Sequence, residues 1–212
     1  MSLIETIERY KLMVAVRTNT AESAFKAAKA CIAGGIKFLE ITFSVPDAED
    51  VIRKLKKETT ASIGAGTILS IQDAKKAIKA GALYIVSPHF DKSIVMLTKE
   101  EGLVSIPGAY TPTEIYLAYR AGGDIIKLFP FNEIGGLNFL RVIRGPLPFI
   151  RYMLCGGITA GNASLYLAES PACILVGSAI IKEDYVMSEN WNAITDESIK
   201  FVNALEKNLP RS

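Results

Sequence analysis

A chain of 212 residues, half of them apolar, is long enough for one large core and needs no division into two domains. With 24 basic against 22 acidic residues the charges nearly cancel, so no strong field is available to hold a nucleic acid or an anionic membrane, and a small-molecule partner is expected. Three widely spaced cysteines, Cys31, Cys155 and Cys173, with no CxxC pair and only one histidine beside them, point to a reducing compartment and to no metal site.

The N-terminal stretch "MSLIETIERYKLMVAVR" carries acidic residues where a secretory signal needs a positive region and a long apolar run, and no later stretch reaches transmembrane length. A cytoplasmic protein beginning with a short helix is expected. The run "LMVAV" (12–16) reads as a first strand ending at Arg17, and "TAESAFKAAKACIAGG" (20–35) as a helix with Glu22 near its start and a glycine pair past its end. Next come "KFLEIT" (37–42), the helical "DAEDVIRKLKKE" (47–58), "ASIGAG" (61–66), and "SIQDAKKAIKAGA" (70–82), where Ser70 is the N-cap and Gly81 the stop. The alternation continues through "LYIVS" (83–87), "DKSIVMLTKEEG" (91–102), "GLVSIPG" (102–108), "TPTEIYLAYRAGG" (111–123) with Pro112 in a first turn, and "IIKLF" (125–129). "RYMLCGG" (151–157) and "CILVGS" (173–178) complete eight apolar runs, and "SENWNAITDESIKFVNALEKNL" (188–209) reads as a closing helix.

Continuously apolar strands that alternate with amphipathic helices indicate a parallel sheet covered by helices. Eight such units in this length predict a (β/α)8 TIM barrel, one domain over 1–212. No GxGxxG follows the first strand and no Walker-type loop occurs, so an open nucleotide-binding sheet lacks its phosphate loop.

A parallel barrel carries its active site at the C-terminal strand ends, so the residues where each apolar run stops are the informative ones. Lys127 stands between Ile126 and Leu128. Taken out of water, an ammonium loses hydration, which favours a free amine able to attack a carbonyl and form an iminium electron sink. The plainer reading is a lysine that snorkels from the mouth and pairs with a carboxylate. Glu40 likewise interrupts an apolar strand, either as an ion-pair partner or as a group that shuttles protons. The glycines of "CGGIT" and "VGSAI" allow backbone N–H groups to approach an anion, with a helix start expected after Gly177. The plainer reading is that these glycines only make tight βα turns; phosphate binding at Gly156, Gly157, Gly177 and Ser178 is expected instead because the loops after the last two strands form a recurrent phosphate site in this fold. Arg17 would grip a carboxylate or phosphate, or else a surface partner. His89 has no partner motif and is left out of the catalytic set.

With these residues on view, the chain resembles the class I 2-keto-3-deoxy-6-phosphogluconate (KDPG) and 4-hydroxy-2-oxoglutarate (KHG) aldolases. The likeness runs from "MVAVRTNT" through "GGIKFLEITFSVPDA", "IGAGTI", "YIVSPHF", "IPGAYTPTEI", "IKLFPFNEIGG" and "GPLP" to "CGGI" and "LVGSAI". The resemblance implies Lys127 as the Schiff-base lysine, Glu40 as the proton-transferring carboxylate, and Thr67 as a contact for the pyruvate portion. It implies Gly156, Gly157, Gly177 and Ser178 as the phosphate site, no metal or organic cofactor, and a homotrimer.

Three residues, in two segments, depart from the family pattern. Ser44 stands where many relatives carry an arginine, so Arg17 would have to compensate. Leu154 and Cys155 replace a proline and a threonine, and a thiol donates a hydrogen bond less well than a hydroxyl, a loss on the order of 1.5–3 kcal/mol against a charged group. The expected reaction is cleavage of a phosphorylated 2-keto-3-deoxy acid, or a related 4-hydroxy-2-oxo acid, to pyruvate and an aldehyde. A phosphosugar isomerase or epimerase, with Glu40 as enolising base, and a silent phosphometabolite-binding domain remain open alternatives on residues alone.

Overall fold

The computed structural model describes residues 1–206, so the end of the expected closing helix, 207–209, and of the expected domain lies outside the described residues. In chain order the elements are α1 (Leu3–Tyr10), β1 (Leu12–Val16), α2 (Ala21–Ala33), β2 (Phe38–Thr42), α3 (Ala48–Glu58), β3 (Ser62–Gly66), α4 (Ile71–Ala80) and β4 (Tyr84–Val86). They continue as α5 (Lys92–Glu100), β5 (Val104–Ile106), β6 (Gly108–Ala109), α6 (Pro112–Arg120), β7 (Ile126–Leu128), α7 (Gly136–Arg144), β8 (Tyr152–Cys155), α8 (Ala163–Ala168), β9 (Cys173–Val176), α9 (Glu183–Met187) and α10 (Trp191–Glu206).

All strand pairs are parallel, in the order β5-β4-β3-β2-β1-β9-β8-β7-β6. β5 and β6 are two halves of one stave, parted at Pro107, which has no N–H to give to a ladder. Its first half pairs with β4 and its second with β7, where Lys127 N–H donates to Pro107 O at 2.9 Å. The sheet therefore closes on itself as a (β/α)8 barrel in a single domain.

Local chemistry explains the helix starts. Thr20 and Ser70 cap α2 and α4 by accepting the N–H groups of Ser23 and Asp73, and Gly81 stops α4 at φ +93°. Thr111 and Glu114 form a capping box around Pro112 at the start of α6. One expectation is corrected: no helix starts directly after Gly177. A single turn forms there, with Ile180 and Ile181 N–H both on Gly177 O at 3.0 Å, and α9 begins only at Glu183. Both isoleucines turn into the core, which draws the chain away from a continuing helical path.

Alternate residues of each strand face opposite sides. One apolar layer lies between sheet and helices, while Met13, Phe38, Tyr84, Val104, Met153 and Cys173 fill the barrel interior. Ile7 of α1 joins this interior cluster from the N-terminal end of the barrel. Glu8 accepts from Arg151 at 3.0 Å and Lys11 donates to Pro171 O at 2.7 Å, tying α1 to the segments just before β8 and β9. Gly64 is needed in β3 because a Cβ there would lie 2.2 Å from the ring of Tyr84, whose hydroxyl donates to Leu39 O at 2.8 Å. Towards the C-terminal strand ends the inward positions become Ala15, Glu40, Gly66, Lys127 and Cys155, and there the packing opens. No helix of the described residues is long and apolar enough to cross a membrane.

Candidate active site

A cavity of about 670 Å³ opens at the C-terminal strand ends. Every expected site position lines it: Arg17, Glu40, Thr67, Lys127, Cys155, Gly156, Gly157, Gly177 and Ser178. Pro88, Phe129, Thr159 and Ala179 line it too. Thr159 and Ala179 fall within the stretches "CGGIT" and "VGSAI", while Phe129, two residues past Lys127, lies in the turn just beyond β7. His89 is exposed outside the lining, as is Ser44, whose Oγ lies 3.0 Å from Thr42 Oγ1.

Lys127 is 6% exposed, in the middle of β7. Among the described residues its Nζ makes no hydrogen bond and no ion pair within 4.0 Å; the face of the Phe129 ring lies 5.1 Å away. The snorkelling, carboxylate-paired arrangement is not what the chain adopts. An amine held this way keeps its nitrogen available to whatever enters the cavity.

Glu40 is 1% exposed, and its Oε2 has no hydrogen-bond partner. Burial lifts its carboxyl above the usual carboxylate range, against the opposing pull of the Lys127 and Arg17 charges. Gly66 makes the space it occupies: a Cβ there would lie 1.7 Å from Glu40 Oε1. A buried carboxyl with an unsatisfied oxygen and a raised pKa, facing a cavity beside an unpaired amine, is equipped to take and return protons.

Thr67 follows β3 at φ +54°, a left-handed conformation that a β-branched residue adopts only under constraint, at a cost on the order of 1–3 kcal/mol. That backbone turns its hydroxyl toward Arg17, whose Nη2 donates to Thr67 Oγ1 at 3.4 Å. Cys155 is a free, half-buried thiol; desolvation raises its pKa, so it presents a neutral S–H to the cavity. Beyond it Gly156 (φ +123°) and Gly157 (φ +71°) take backbone conformations closed to other residues without strain. The turn at Gly177 sits beside them on the cavity wall, with exposed Ser178 at its start.

The family model "KDPG and KHG aldolase" matches residues 3–197. The 2-dehydro-3-deoxy-phosphogluconate aldolase of Treponema pallidum is 30% identical over 92% of this chain and 93% of its own. The KHG/KDPG aldolase of Escherichia coli K12 is 34% identical over 82% of each. Among solved structures, KDPG aldolase from Legionella pneumophila, with pyruvate captured at low pH as a covalent carbinolamine intermediate, superposes with a TM-score of 0.85 at 27% identity. The match covers 93% of this chain and 97% of that one.

Proposed function

The chain belongs to the KDPG and KHG aldolase family and is an aldolase, and from that premise we propose that Lys127 and Glu40 carry its retro-aldol reaction. The single observation behind this reading is the pairing of a buried lysine free of any ion pair with a buried, unsatisfied carboxyl on the wall of one cavity. The substrate proposed is a phosphorylated 2-keto-3-deoxy acid or a related 4-hydroxy-2-oxo acid. That proposal is supported by the names of the relatives and by the covalent pyruvate adduct of the Legionella enzyme.

Lys127 Nζ attacks the C2 ketone, and loss of water from the carbinolamine leaves a cationic iminium. Glu40 takes the proton of the C4 hydroxyl, the C3–C4 bond breaks, and its electron pair moves into the iminium to give an enamine and the free aldehyde. The proton then returns to C3, and hydrolysis releases pyruvate and the amine. Thr67 and Arg17 hold the carboxylate next to C2, a role the 3.4 Å contact between them supports, since Ser44 has neither the charge nor the position for it. The backbone at Gly156, Gly157 and Gly177, with the Ser178 hydroxyl, holds the phosphate. We further propose a homotrimer formed through the exposed aromatic face of α6, where Tyr116 and Tyr119 stand out and the Tyr119 and Phe149 rings meet at 5.1 Å.

The test is pyruvate release, followed in a coupled assay with KDPG and 4-hydroxy-2-oxoglutarate. Lys127→Ala is expected to abolish release from either acid, and Glu40→Gln to lower kcat by about 10²–10⁴. Turnover by Lys127→Ala at the wild-type rate overturns the assignment.

A further inference from the structure

The turn proposed to hold the phosphate is clamped from two sides, and one side belongs to the connection that follows the strand of Lys127. Asn132 lies between β7 and α7, and its Nδ2 packs so close to Gly157 that a Cβ at that position would come within 1.7 Å of it. The Tyr166 hydroxyl donates to Asn132 Oδ1 at 2.9 Å, which turns the amide so that Nδ2 faces the glycine. Tyr166 is nearly buried in α8, with its ring tilted against Phe131 at 5.7 Å, and Phe131 N–H donates to Cys155 O at 2.9 Å. On the far side Asn162 Nδ2 donates to Gly157 O at 3.0 Å and Asn162 Oδ1 accepts from Thr159 N–H at 2.7 Å.

We propose that Asn132 is a positioning residue for anion recognition: its amide, oriented by Tyr166, fixes the Gly156–Gly157 turn where the substrate phosphate is held. Two features of the contact point this way. Gly157 has left-handed φ and no room for a side chain, so the backbone can sit directly on the amide. The group that meets the turn is an N–H donor, the positive end of the amide dipole, as suits a neighbour of a bound anion. Asn132 thereby couples the imine strand to the phosphate turn through one connection. The inference rests on the phosphate reading of that turn.

The full-length chain tests it through KM and kcat for a phosphorylated 2-keto-3-deoxy acid and its unphosphorylated analogue, with inhibition by inorganic phosphate measured alongside. Asn132→Ala is expected to raise the KM ratio, phosphorylated over unphosphorylated, and the phosphate inhibition constant by about tenfold. Asn132→Asp sets a carboxylate beside the bound anion and is expected to raise both by at least about a further tenfold. Tyr166→Phe, which only unlocks the amide, should shift both by about threefold. Asn132 is exposed, so these variants are expected to fold. Equal effects of Asn132→Ala and Asn132→Asp, or KM shifts that are the same for both substrates, leave only a packing role and overturn the inference. A wild type that treats the two substrates alike and is not inhibited by phosphate removes the phosphate reading first, and the inference with it.

Discussion

Ionising Glu40 places a carboxylate out of water with Oε2 lacking a hydrogen-bond partner, a cost set against the attraction of Lys127 and Arg17. Burial wins, and the folded carboxyl titrates above its unfolded value of 4.5. Between those two values the folded state holds a proton that the unfolded chain has released, so this residue's contribution to stability falls as pH rises through the interval. Glu40→Gln is therefore expected to melt no lower than wild type at about pH 8 and to lose its relative advantage at about pH 5. A variant less stable at the higher pH and restored at the lower one contradicts this. Because the proton acceptor must be ionised, the acid limb of kcat/KM should lie above the ordinary carboxylate range in wild type. Gly66→Ala probes the same group through its space, since the new methyl overlaps Oε1 and must push the carboxyl aside. A fall in kcat on the order of 10² is expected from a displacement of about 1 Å; unchanged kcat means that the position of Glu40 is unimportant.

At the scale of elements, most staves were legible because each parallel strand, covered on both faces, is a run of β-branched and apolar residues. Ser70, Gly81 and Pro112 marked helix ends for reasons that are local to the backbone. What could not be read depends on neighbours across the sheet. The break of one stave at Pro107 shows only when β4 and β7 stand on either side of it. Gly66 and Gly64 look like any flexible residues until Glu40 and Tyr84 occupy their places. The strain at Thr67 leaves no trace in residue type, as threonine is a poor choice for φ +54° and is held there by its surroundings. Helix α7 was missed because its start, at Gly135 and Gly136, carries no side-chain cap. Helix α1 acts as the floor of the barrel, with Ile7 buried in the interior cluster and Leu3 and Ile4 packed against it. Ile7→Ala is expected to lower the unfolding free energy by about 2–5 kcal/mol while kcat holds, because Ile7 lies at the end of the barrel away from the cavity. A denaturant titration with parallel kinetics checks this, and a kcat that falls with stability contradicts it.

For the whole molecule, near-neutral charge and one closed barrel with a cavity at its C-terminal strand ends fit an enzyme of small molecules, and on the proposed reading the substrate's charge is met locally by Arg17 and by backbone N–H groups. Of the three residues that depart from the family pattern, Cys155 lines the cavity together with the lysine and the carboxylate, whereas Ser44 and Leu154 lie outside its lining. The proposed trimer predicts that the wild-type chain sediments with the mass of three copies, and that Tyr119→Ser with Phe149→Ser sediments as one. A single-copy wild type contradicts it.

The central claim is a covalent bond between Lys127 and a ketone, and trapping that bond tests it most directly. The protein is incubated with pyruvate, reduced with borohydride, digested and sequenced by mass spectrometry. The account predicts a single reduced pyruvate adduct on the peptide bearing Lys127, dependent on pyruvate and missing from Lys127→Ala. An adduct on another lysine, or none from protein that still releases pyruvate from its substrate, would contradict it.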